Sequence, residues 1–87
     1  MENNDKNVVE ASVLIDTVDL IREFAYSMSE LPFKATLSHG AYYTVNASSI
    51  MGIFSLDVTK PMALRIECDS AASAEHARKV IQPYLAA

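Results

Sequence analysis

Apolar and polar residues change their period several times along this chain, and each change marks an element. Val8 to Ile15 is rich in β-branched residues and alternates, with Val9, Ala11 and Val13 on one face and Glu10 and Ser12 opposite, which predicts a strand. From Asp16 the period lengthens. Leu20, Phe24, Met28 and Leu31 recur at helical spacing with Ile21 and Ala25 beside them, while Arg22, Glu23 and Ser27 fall elsewhere. Asp16 and Thr17 are candidate N-caps of this helix, and Asp16 and Asp19 put negative charge beside its free amides. Pro32 ends it, because the residue before a proline avoids helical dihedrals.

Phe33 to Ser38 alternates again, with Phe33, Ala35 and Leu37 on one side. His39 and Gly40 make a turn, and Ala41 to Ala47 returns as a third strand in a hairpin. Ser48 and Ser49 precede the apolar stretch Ile50 to Leu56, where Gly52 permits a close approach; a serine-capped helix of two turns fits this. Asp57 to Pro61 reads as a loop, and Ala63 to Cys68 as a fourth strand with Leu64, Ile66 and Cys68 inward. After the cap candidates Asp69 and Ser70, the residues Ala77, Val80, Ile81 and Tyr84 form the apolar face of a last helix, opposite Glu75, His76, Arg78 and Lys79. Pro83 removes one backbone bond, so this helix should fray or bend there. The order βαββαβα predicts an α+β fold, a four-stranded antiparallel sheet with three helices on one face.

With 87 residues there is room for one core, and a hydrophobic fraction of 51% against 21% charged residues is that of a folding chain. Residues 1–7 are polar and read as a flexible N-terminal segment, with the domain over 8–87. A net charge of -4 offers no basic field for direct nucleic-acid binding. Cys68 is the only cysteine, so neither an intramolecular disulfide nor a cysteine-based metal cage can form, and it reads as a small buried hydrophobe. No apolar run approaches the roughly 20 residues that span a bilayer, and the start of the chain does not resemble a signal peptide. A cytoplasmic protein without membrane contact or cofactor is expected.

The element order alone leaves ferredoxin-like regulatory folds and HPr-like domains open. Val45-Asn46-Ala47-Ser48-Ser49-Ile50-Met51-Gly52-Ile53-Phe54-Ser55-Leu56 resembles the regulatory-serine segment of the HPr family: a strand ending in Val-Asn, then Ser-Ile-Met-Gly, two apolar residues and Ser-Leu. The family pattern can be laid from the first helix to the last without a gap. The resemblance implies an HPr-like open-faced β-sandwich with strand order 1-4-2-3. It also implies a relation to the phosphoenolpyruvate-dependent sugar phosphotransferase system, in which a histidine at a helix N-terminus relays phosphate between proteins.

That chemistry needs a neutral imidazole as nucleophile, with free amides and a neighbouring arginine to hold the phosphoryl group. The family supplies them as a Gly-Ile-His-Ala-Arg-Pro type sequence. Here the stretch is Asp16-Thr17-Val18-Asp19-Leu20-Ile21, which puts Val18 in the histidine's place and Leu20 in the arginine's. No histidine lies between Met1 and Ser38, so shifting the alignment does not restore one, and Asp16 and Asp19 would repel a phosphoryl group. His39, in the turn, and His76, on an outer helix face, read as solvated surface residues. The family's strand order puts His39 two or three strand spacings from the start of the first helix, roughly 10 to 15 Å.

The resemblance places Ser49 at the position that a dedicated ATP-dependent kinase modifies in some bacteria, and a related catabolite-repression group keeps this serine without the histidine, as corepressor of a transcription regulator. This chain departs from that group in having Leu20 instead of an arginine and Ser48 instead of a lysine. The structural alternative for Ser49 is a helix cap, worth about 1 kcal/mol. Ile50, Met51 and Phe54 occupy the family's partner-docking patch; at least one should point outward, and Ile50 and Phe54 are better placed than Met51 to complete the core. The expectation is a regulatory or protein-interaction domain, not an enzyme, with an HPr-type kinase or a transcription regulator as partner. A phosphocarrier with an atypical site and a small-molecule-sensing α+β module are the alternatives.

Overall fold

The computed structural model describes residues 7–40 and 43–86. The expected start of the third strand, Ala41 and Tyr42, lies outside them, as do residues 1–6 of the N-terminal segment and Ala87. The elements are β1 (Val8–Val13), α1 (Val18–Glu30), β2 (Lys34–His39), β3 (Tyr43–Asn46), α2 (Ile50–Phe54), β4 (Met62–Glu67) and α3 (Ala71–Ile81). A 3-10 turn, Gln82–Tyr84, follows at Pro83, where the sequence expects α3 to bend.

All neighbouring strands are antiparallel, in the order β1-β4-β2-β3. The alternation is clearest in β4, where Met62, Leu64 and Ile66 are buried and Ala63, Arg65 and Glu67 exposed. With Val9, Val13, Ala35 and Leu37 they make the sheet's share of the core, which the helices close with Ile21, Phe24, Ala25, Met28, Ile53, Ala74, Ala77 and Ile81. Phe24 meets Tyr84 edge to face at 5.2 Å between ring centroids, a geometry worth about 0.5–1.5 kcal/mol beyond burial. The other face of the sheet is polar and open, crossed by the Glu10–Arg65 ion pair. This is the open-faced sandwich, and it fits the expected fold.

Register fixes which ends of the elements meet. Val13 pairs with Met62, Ser38 with Ala63 and His39 with Tyr43, so these residues share one end of the sheet. α1 begins there, five residues after Val13. The chain leaves β3 at the other end, where the Ala47 amide donates to the Ala35 carbonyl at 2.9 Å, and α2 climbs back toward the first. The C-terminal end of α2 thus lies at the same end as the N-terminus of α1.

Several boundaries differ from the sequence reading by a residue or two, and two of them change what the ends of the sheet do. β1 stops at Val13, and its last residues are bridged on the outer edge, where the Leu14 amide donates to the Tyr84 carbonyl at 2.9 Å and the Ala86 amide to the Ser12 carbonyl at 2.8 Å. The C-terminal tail thereby covers the outer edge of β1, which alternation within β1 does not foretell. His39 ends β2 instead of opening the turn, which falls on Gly40 with φ 72°. No helix among the described residues is long and apolar enough to cross a membrane.

Candidate functional site

The site is built from α2 and the start of α1. Of the two cap candidates for α1, Thr17 takes the role: its Oγ1 accepts the Leu20 amide at 3.1 Å and its carbonyl the Ile21 amide at 2.9 Å. Val18 is the first helical residue and its side chain is 54% exposed. Asp16 and Asp19 on either side are exposed too, so this helix start presents an apolar side chain between two carboxylates and has no imidazole.

Ser49 is half-buried and caps α2, its Oγ accepting the Gly52 amide at 3.0 Å. Gly52 lets the helix pack closely: a Cβ there would lie 3.2 Å from Ser49 Oγ and 3.3 Å from the Val45 Cβ, so these neighbours would have to give by a few tenths of an ångström. The helix has five residues, not two turns, and buries only Ile53, with Leu56 following it inward three positions on. Ile50, Met51 and Phe54 are 40, 79 and 46% exposed. Met51 is the most exposed of the three; Ile53 and Leu56 set the inward direction, and Phe54 stands a further 100° round the helix from Ile53. All three docking candidates lie on the surface.

The hairpin holds this helix. Tyr43 Oη lies 3.0 Å from Ser55 Oγ, and His39 Nε2 lies 2.7 Å from the Asp57 carbonyl oxygen. A carbonyl only accepts, so Nε2 carries the hydrogen and the lone pair of the neutral ring lies on Nδ1. His39 is half-buried, not the solvated turn residue its sequence context suggests, whereas His76 is exposed as expected. Neither role of the hairpin has a sequence signal, because both partners lie in the segment after α2. The Thr59 hydroxyl, and then its amide, hold the Asp57 carboxyl below the usual carboxylate range. Cys68 is half-buried, and burial pushes its thiol up, with Asp69 adding to the effect. No group of acidic, histidine or cysteine side chains among the described residues is placed to hold a metal ion.

No curated protein matches the sequence. The fold is similar to the crystal structure of HPr-C-His from Thermoanaerobacter tengcongensis, with a TM-score of 0.61 over 85% of this chain and 88% of that one, at 24% identity. The family model described as the PTS HPr component phosphorylation site matches residues 20–86, beginning two residues after Val18. With a match over more than half its length, the chain belongs to the HPr family.

Proposed function

We propose that this protein is a non-catalytic regulatory or protein-interaction member of its family, which docks partners through Ile50, Met51 and Phe54 and relays no phosphate. The observation that carries the reading is the exposure of these three apolar side chains on a helix that needs only Ile53 for its own anchorage. Contiguous apolar side chains left on a surface mark a contact site more often than isolated ones do. The α1 N-terminus supports the other half. In family register Val18 stands where the phosphate acceptor belongs, and a hydrocarbon side chain between Asp16 and Asp19 can neither attack nor hold a phosphoryl group.

Ser49 belongs to the same proposal as a candidate phosphorylation site. Its hydroxyl is engaged with the Gly52 amide, so a kinase must turn it out of the cap, and the first turn of α2 has no acidic residue to oppose the added charge. The partner is a protein, an HPr-type kinase or a transcription regulator. Immobilised partner candidates of these two kinds test the proposal, with wild type, Met51→Asp, Ser49→Ala and Ser49→Asp as analytes. Met51→Asp should lose binding without loss of fold; equal binding by all four proteins would remove α2 from the interface.

A further inference from the structure

The hydrogen bonds around α2 form a continuous chain once each proton is assigned. Ser55 Oγ donates to the Gly52 carbonyl at 2.5 Å, so its single proton is committed, and Tyr43 Oη must be the donor toward Ser55 Oγ. On its other side, Gly52 donates its amide to Ser49 Oγ. The sequence of contacts is therefore Tyr43 to Ser55 to Gly52 to Ser49, running from β3 through the C-terminal end of α2 to its N-cap. Beside it, His39 at the end of β2 donates to the Asp57 carbonyl, two residues beyond Ser55.

A five-residue helix has little cohesion of its own, because nucleation fixes several dihedrals for each bond gained. We infer that the β2–β3 hairpin clamps α2 through Tyr43 and His39, which makes these two positioning residues that set the pose of the Ile50, Met51 and Phe54 surface and couple it to the Ser49 hydroxyl. The clamp itself stands on geometry; its meaning for docking rests on the proposed function.

Amide hydrogen exchange on the full chain, resolved by residue, tests it. Tyr43→Phe removes one donor and leaves the ring, and His39→Ala removes the other. Each should speed exchange at Ile53, Ser55 and Leu56 about five-fold, the effect of one lost hydrogen bond, and leave α1 and α3 unchanged. His39→Gln, which keeps an N–H donor, should restore slow exchange. Faster exchange spread evenly over α1 and α3, or none at α2, would overturn the clamp. Kinase binding by Met51→Ala reports the docking reading separately, since that side chain takes no part in the hydrogen bonds.

Discussion

α1 and α2 both start on a hydroxyl cap, and both carry more apolar residues than polar ones would predict for a free surface, yet they use them in opposite ways. α1 spans 13 residues and commits Ile21, Phe24, Ala25 and Met28 to the core. α2 spans five and commits one, Ile53, leaving Ile50, Met51 and Phe54 in solvent. The hydrophobic pattern of α1 is explained by folding. That of α2 is not, and the unexplained part is where interaction is to be sought. The surroundings of the two hydroxyl caps differ as well: Thr17 stands between Asp16 and Asp19, whereas the first turn of α2 behind Ser49 has no acidic residue.

Substitutions can break or sharpen this contrast. Phe24→Ala should cost about 3–5 kcal/mol, since it empties a fully buried position and removes the ring against Tyr84; a chemical-denaturation midpoint measures it. Ile53→Ala should fall toward the lower end of about 2–5 kcal/mol, because a short helix can shift to close the gap. Ser49→Ala should cost about 1 kcal/mol through the unpaired Gly52 amide. Met51→Ala and Phe54→Ala should stay within about 0.5 kcal/mol in the same assay while weakening partner binding. A loss near that of Ile53→Ala would place them in the core and end the contrast. The smallest effect concerns Asp57. Its folded-state pKa is lowered, so its contribution is present above the ordinary aspartate range and is lost as pH falls through the lowered value. The thermal midpoint of Asp57→Ala should lie slightly below that of wild type at neutral pH and converge with it in acid.

Most of the fold was legible in local pattern. Alternation located the strands, helical spacing placed α1 and α3, and the Ser-Ile-Met-Gly segment located α2 and its cap. What local pattern could not supply was pairing between distant residues. The C-terminal tail on β1, the His39 contact to Asp57 and the Tyr43 contact to Ser55 depend on topology, and no residue in either partner marks the other. How far Ile50 and Phe54 turn inward is open in the sequence for a related reason: spacing of four suggests a common face, but only the packing of Ile53 decides which face is inward.

The central proposal is that this chain keeps a docking surface without the phosphate-accepting chemistry of its family. Incubation of the intact protein with enzyme I and phosphoenolpyruvate, read by intact mass at neutral pH to preserve acid-labile phosphate, tests it most directly. An unchanged mass is predicted, because Val18, in the place of the family's histidine, offers no nucleophile. One stoichiometric phosphohistidine, mapped to His39 or His76, would contradict the account.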